Sequence, residues 1–240
     1  MTFDSELRKK LQILLGVALV VVGARTAYIV YQRYEERKLA EQPKPEPVLR
    51  ADYYVIPKKL HPYDLKSARE LTRQPVWVKV GYYHTYYPYD VARRKTEFGY
   101  EAGTLLPLQK LSIQDVVTDA APQAPAIKQV LARFAVDGKN YAVPIGSEQG
   151  GEFKIYSDDI FFVEDPHELY KHWPADMWKA IDKHEVQPGM SELQATCAIG
   201  AGSLDGTSTS FSRTLHYANG GKPLTITYHN DKAVEIKAGT

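Results

Sequence analysis

LQILLGVALVVVGARTAYIVY, residues 11–31, decides how the rest of the chain is read. Leu11 to Ala24 carries no charge, and Gln12 is its only strongly polar residue. Arg25 interrupts the run, and Thr26–Tyr31 resume it. A helix needs about 20 mostly apolar residues to cross about 30 Å of hydrocarbon. The run reaches that length with Arg25 near one interface, where its long stem lets the guanidinium snorkel to water. From about Pro43 onward the sequence is polar enough for a water-exposed surface. The expected plan is one membrane anchor holding one soluble body.

Arg8, Lys9 and Lys10 stand directly before the run. A signal peptide has the same layout, and Val22-Gly23-Ala24 would serve as its small-residue cleavage site. Tyr28-Ile29-Val30-Tyr31 prolong the apolar character, however, and tyrosines suit the interfacial belt. A retained anchor over residues 1–42 is therefore expected, with a cleaved signal as the alternative. Arg33, Arg37 and Lys38 follow the run and balance the three cations before it, so charge bias leaves orientation open. No cysteine follows the run for lipid attachment. Residues 34–40 contain no helix breaker. The helix should end before Pro43, because the residue ahead of a proline avoids the helical region. Residues 43–50, with PKPEP, read as a stiff, solvated linker.

The remaining residues leave room for one large domain or two small ones. Hydrophobic content of 44% and charged content of 25% are ordinary for a globular protein. A net charge of +1 argues against a nucleic-acid partner, which usually demands a basic excess. The single cysteine, Cys197, cannot form an intramolecular disulfide. The unusual figure is 17 tyrosines, which crowd between Tyr53 and Tyr100.

Residues 51–164 read as a β-rich domain. Asp52–Ile56 (DYYVI) suggests a short strand. Asp64–Arg73 suggests a short helix capped by Asp64, with Leu65, Ala68 and Leu71 on one face. Pro75–Val80 alternates as a strand does. Lys110–Thr118, Val130–Val136, Tyr141–Ile145 and Glu152–Val163 follow as strands. Asp137-Gly138-Lys139-Asn140 is a hairpin signal, and Ala120–Ala126 (AAPQAPA) reads as a loop. Short strands at this spacing predict a small β-barrel or a strongly curved sheet; in rhythm the region resembles a bacterial SH3-like barrel.

Within it, GYYHTYYPYD (Gly81–Asp90) places Tyr82, Tyr83, Tyr86, Tyr87 and Tyr89 in ten residues. Tyrosine offers a large rigid contact area with a polar tip, so these five are the candidate partner-binding residues. A stacking platform for peptidoglycan or another glycan is a variant of that reading. A strand packing on the body's own core explains the same residues. Arg93, Arg94 and Lys95 read as a solvated loop or, with Arg25, as contacts to anionic headgroups.

Asp165–His172 opens a helical region in which Asp165 caps and Pro166 suits the first turn. His167-Glu168 and His172 tempt a zinc reading, but histidines five apart on a helix diverge by about 140° and do not converge on one ion. Trp173-Pro174 breaks the helix, and Ala175–His184 starts another. No metal or cofactor site is expected. Gly200-Ala201-Gly202-Ser203 follows a helix rather than preceding one, so it is a helix stop and not a phosphate cradle. Cys197 is expected to be a core thiol.

From Val186 the chain carries Val186-Gln187-Pro188-Gly189-Met190, then Ser191–Ala195, Ala198-Ile199-Gly200, Leu215-His216-Tyr217, Pro223–Tyr228 and Asn230–Val234. These residues resemble the BamE/OmlA-type small envelope lipoproteins, whose pattern is a "GM" turn, a short helix, a glycine, then a three-stranded antiparallel sheet. The resemblance covers roughly the last quarter of the chain and implies an α+β unit over 165–240. It also implies envelope localisation in a bacterium and binding to other envelope proteins rather than catalysis. This chain lacks their lipid-attachment cysteine and carries an added β-rich region, so fold and compartment are what the resemblance implies.

The fold class expected is α+β: a single transmembrane helix, a β-rich barrel-like region and a helix-plus-three-stranded unit. The function expected is a non-enzymatic, single-pass scaffold or accessory subunit of a membrane or envelope complex. Its partners would be the membrane and an envelope protein, with the body periplasmic on the inner membrane. A glycan-binding module is the alternative. A hydrolase using Asp158, Asp159 or Glu164 is a third reading, but no sequence geometry places a base beside a nucleophile.

Overall fold

The computed structural model describes residues 14–16, 19, 21–34, 51–122, 124–205 and 211–239. The chain divides into two units, Met1–Arg50 and Ala51–Thr240. The linker expected at 43–50, the cations before the apolar run, and Arg37 and Lys38 lie outside the described residues.

The first unit holds helix α1, Leu14–Tyr34, long and apolar enough to cross a membrane. Its 21 residues rise about 31 Å. A helix of this length and composition near the N-terminus suits a membrane anchor or a signal sequence. Thr26 Oγ1 donates to the Val22 carbonyl at 2.8 Å, which satisfies that hydroxyl within the helix itself. Gln32 Nε2 donates to the Tyr28 hydroxyl at 3.1 Å.

The second unit opens with a 3-10 turn, Ala51–Tyr54, and an irregular arm to Tyr63, in which His61 takes a φ of 48°. The strand expected at Asp52–Ile56 does not form, because no neighbouring strand offers it a ladder. Asp64 caps α2 (Leu65–Ala68): its carboxylate accepts the Ser67 N–H at 2.7 Å, and Ser67 Oγ accepts the Asp64 N–H at 3.0 Å. The helix then tightens into a 3-10 turn, Arg69–Arg73.

Strands β1 (Val76–Val78), β2 (Thr85–Asp90), β3 (Lys95–Thr96), β4 (Gly103–Thr104) and β5 (Lys110–Leu111) follow. Then come the long strands β6 (Ile113–Ala121), β7 (Ala124–Val136) and β8 (Lys139–Gln149), with β9 (Glu152–Ile155) behind them. Helix α3 (Ser157–Ile160) leads into β10 (Phe161–Phe162). Helices α4 (Pro166–Leu169), α5 (Ala175–Asp182) and α6 (Glu192–Ile199) precede β11 (Gly202–Asp205), β12 (Ser212–Tyr217), β13 (Leu224–His229) and β14 (Lys232–Ala238).

The largest sheet runs β3-β2-β8-β7-β6, with β4 on β2 and β9 on β8. All its pairings are antiparallel. The terminal strands β3 and β6 do not pair with each other, so it is a curled half-barrel rather than a closed one. Register shifts at Ile113/Asp115, Ala120/Ala121 and Val130/Leu131 supply the curl. At the β7–β8 hairpin Asp137 and Gly138 take φ of 50° and 75°, the turn whose twist matches its strands. The loop expected at Ala120–Ala126 is instead a tight connection, since Ala121 already pairs with Ala124.

A second sheet, β11-β12-β13-β14, has four strands where three were expected. Gly202-Ser203, read as part of a helix stop, instead opens a strand, Gly202–Asp205, that pairs along its length with β12. Gly200 does end α6, at φ 86°. Helices α5 and α6 cover one face of this sheet through Ile181, Cys197 and Ile199 against Leu215, Ile226 and Tyr228.

The third sheet, β10-β1-β5, is a wall between two cores. Val76, Val78, Leu111 and Phe161 face the core under the half-barrel. Trp77 and Phe162, directly opposite each other, face the core under the four-stranded sheet. Alternation on a strand puts successive side chains on opposite faces, so this sheet is apolar on both. Residues 51–164 and 165–240 thus meet across a shared wall, within one compact unit.

Candidate functional site

The arm from Ala51 to Tyr63 is the segment through which the chain enters the body, and three acids fasten it. Asp52 Oδ1 accepts the Trp173 indole N–H at 2.7 Å and pairs with His172 Nε2 at 2.6 Å. Glu164 accepts the Lys58 backbone N–H at 2.9 Å. Asp158 spends both oxygens on the arm, accepting Leu60 N–H at 3.0 Å and His61 N–H at 2.7 Å. Hydrogen bonds to a carboxylate are about twice as strong as neutral ones, so these are firm attachments.

The inward side chains complete the docking. Val55 packs against the core of the four-stranded sheet, and Leu60 against the core of the half-barrel. Pro62 is buried. An open groove of about 280 Å³ lies between Lys59, His61 and Pro62 of the arm and Tyr156, Asp158 and Asp159 of the body. Lys79 stands close by, donating from Nζ to the Asp158 carbonyl. Burial holds its ammonium below the ordinary lysine value, partly opposed by the Asp158 carboxylate.

These contacts decide what the acids can do chemically. Asp158 has both oxygens engaged with backbone donors, and Glu164 holds a third. The adjacent Ser157 hydroxyl is fully buried, with no hydrogen-bond partner. A nucleophile needs a base within reach and access to substrate, and neither is assembled here. Replacing Asp158 with alanine leaves two arm N–H groups without their acceptor. The expected result is about ten- to a hundred-fold faster hydrogen exchange at Leu60 and His61, from losing charge-assisted bonds worth about 1.5–3 kcal/mol. Unchanged exchange at those two amides would show that the carboxylate does not hold the arm.

The five tyrosines of Gly81–Asp90 do not form one platform. Alternation along β2 sends Tyr86 to one face and Tyr87 and Tyr89 to the other. Tyr86 packs edge-on against Phe134 and Tyr141 beside the half-barrel core. Tyr87 meets Phe98 edge-on at 5.3 Å. Tyr89 is only 6% exposed, with the Arg133 guanidinium 4.5 Å above its ring. Tyr82 lies against Gly220, close enough that a Cβ there would come within 2.6 Å of its ring. Gly200 approaches the same stretch, where a Cβ would stand 2.6 Å from the Gly81 carbonyl oxygen. The segment therefore begins as a seam against the four-stranded half and continues as a packed strand. Tyr83 is the open one, 76% exposed.

Of the candidate headgroup cations, Arg25 lies on α1, and Arg93, Arg94 and Lys95 are exposed around the β2–β3 turn. Arg93 is drawn back onto Asp90, its N–H donating at 2.9 Å and its Nε at 3.5 Å. His167 and His172 serve separate partners: His167 bridges Asp165 at 3.2 Å and Asp182 at 3.1 Å while stacking on Trp178, and His172 meets Asp52. Among the described residues no group of three His, Cys, Asp or Glu side chains is placed to hold a metal ion. Cys197 is buried, and burial pushes its thiol up to about 12, which makes it unreactive.

The chain matches no protein-family model, no curated protein and no solved structure. Its own geometry therefore carries the functional argument. Sequence reading did not join Asp52 to His172 and Trp173, which lie about half the chain away from it. The available signal was an acid at the start of the aromatic DYYVI segment, where a hydrophobic strand has no use for one.

Proposed function

We propose that this protein is a single-pass, membrane-anchored envelope protein that acts without catalysis, as a scaffold or accessory subunit of a membrane complex. The observation that carries the reading is the pairing of an apolar 21-residue helix with an arm, further along the chain, that is fastened into the body by Asp52, Asp158 and Glu164. A fastened arm transmits position, which is what a scaffold requires. Two of the three acids that would serve a hydrolase, Asp158 and Glu164, are engaged in holding backbone instead. The helix-covered antiparallel sheet over the last quarter supports the likeness to BamE/OmlA-type envelope lipoproteins, and with it a periplasmic body on the inner membrane.

Protease protection tests the topology, with a tag after Thr240 in intact cells and in spheroplasts. Cleavage of the tag in spheroplasts with a sealed inner membrane is the expected result. A tag protected until the membrane is lysed places the body in the cytoplasm and removes the envelope reading. The size of the protected fragment separates a retained anchor from a cleaved signal. Native electrophoresis of mild-detergent extracts tests the scaffold role: migration as an assembly well above 27.1 kDa is expected, and a monomer throughout argues against it.

A further inference from the structure

The arm has an outer side as well as the inner one that docks. Between Tyr54 and Tyr63 the buried or half-buried positions are Val55, Pro57, Leu60 and Pro62, and every other residue is exposed. The outward residues are Tyr54, Ile56, Lys58, Lys59, His61 and Tyr63. Ile56 is 87% exposed, Tyr63 77% and Tyr54 69%. An isoleucine this open, between two open tyrosines on a segment whose backbone is pinned, is not explained by the body's own packing. Scattered single apolar residues are ordinary on a surface; a row of them on a fixed edge marks a contact.

We infer that this outer edge of the arm is a bilayer-docking strip, with Ile56 and the two tyrosines in the interfacial zone and Lys58 and Lys59 on anionic headgroups. The composition fits that occupant: tyrosine is enriched at the membrane interface, and lysines near the surface are attracted by anionic lipid. Position along the chain fits as well. Residues 35–50 connect the apolar helix to the arm and span at most roughly 55 Å when fully extended. The Asp158 and Glu164 bonds hold the backbone at Lys58, Leu60 and His61, so the strip is presented with little backbone ordering cost on docking. Arg93, Arg94 and Lys95 have Val91 and Tyr100 as exposed neighbours in sequence, but Arg93 is drawn back onto Asp90. The inference rests on the membrane-anchored reading above, and the experiment separates the two.

The full chain carrying Ile56→Cys is labelled with an environment-sensitive fluorophore; the buried Cys197 stays unlabelled, checked on the parent chain. Tyr83→Cys and Val234→Cys serve as exposed controls elsewhere on the body. Each is mixed or reconstituted with vesicles of phosphatidylcholine, alone or with phosphatidylglycerol, that carry a lipid-borne quencher, and flotation is recorded in parallel. The expected result is a blue-shifted Ile56 label, quenched more strongly with phosphatidylglycerol than both controls. Lys58→Gln with Lys59→Gln should return it toward control level, since two lysines at about 1 kcal/mol each correspond to about thirty-fold in surface partition. A floating chain whose Ile56 label behaves like the controls keeps the anchor and overturns the docking strip. A chain that does not float overturns the anchor and, with its label beyond reach of the quencher, the docking strip as well. Equal quenching with and without phosphatidylglycerol overturns the headgroup assignment. A label silent in vesicles but shielded in native membranes points to a protein partner and overturns the lipid one.

Discussion

Phe161→Ala is expected to cost the body about 3–5 kcal/mol, and Phe162→Ala a similar amount, both within one unfolding transition. The two rings are adjacent in sequence, 1% and 5% exposed, and belong to different cores. Phe161 fills the core beneath the half-barrel. Phe162 stands opposite Trp77 in the other core, meeting Tyr170 edge-on at 6.3 Å and lying under the Lys79 ammonium. Domains of ordinary size are stable by about 5–15 kcal/mol, so either loss takes a large share. The informative comparison uses two probes during urea unfolding. Trp77, Trp173 and Trp178 all pack in the core of the four-stranded sheet, so tryptophan fluorescence reports that half. Far-ultraviolet circular dichroism also reports the long strands β6 to β8. If the shared wall couples the halves, Phe161→Ala shifts both curves to the same new midpoint. A shift in circular dichroism that leaves fluorescence in place would mean that 51–164 and 165–240 unfold as separate domains.

Alkaline pH is expected to unfold the body steeply above about pH 10, where neutral conditions leave it intact. Four acidic groups lie inside the core of the four-stranded sheet. Burial pushes the Cys197 thiol, the Tyr170 hydroxyl and the Tyr228 hydroxyl each up to about 12. Burial raises Tyr217 as well, strengthened by its 2.7 Å hydrogen bond to Tyr228. Above their ordinary values the unfolded chain releases these protons while the folded chain retains them. The unfolded state then binds fewer protons, so stability falls as pH rises. The contribution is fully present below about pH 9, the ordinary thiol value. Each retained proton removes about 1.4 kcal/mol per pH unit. With four groups, the thiol counting from about pH 9 and the tyrosines from about pH 10, the loss is about 7 kcal/mol by pH 11. Thermal midpoints should be level between pH 7 and about pH 9 and then drop, with part of the tyrosinate absorbance appearing only as the protein melts. A midpoint as level at pH 11 as at pH 8 would show that these hydroxyls are open to water.

The candidate site was legible in pieces. Asp158, Asp159 and Glu164 stood out as acids near a strand, yet the role of Asp158 and Glu164 follows from which backbone donors face them, and those lie about a hundred residues away in the sequence. The tyrosine cluster was conspicuous, but composition does not say which face of a strand is covered. Tyr86 and Tyr89 are three apart and point to opposite sides of β2, and both sides are occupied.

The sequence alone determined what nearest neighbours decide. The uncharged run of α1, the caps at Asp64, Asp165 and Ser191, the Asp137-Gly138 hairpin and the glycine stop after Ile199 each depend on residues within a turn or two. Tertiary structure decided the rest. Gly202–Asp205 became a strand because β12 offers it a ladder, and Asp52–Ile56 did not because nothing does. Val76–Val78 could be read as a strand, but its place as a wall between two cores depended on β5 and β10 arriving from elsewhere. A helix satisfies its hydrogen bonds within itself, so its sequence suffices. A strand satisfies them with a distant partner, and an acid or a tyrosine acquires its role only when that partner is in place.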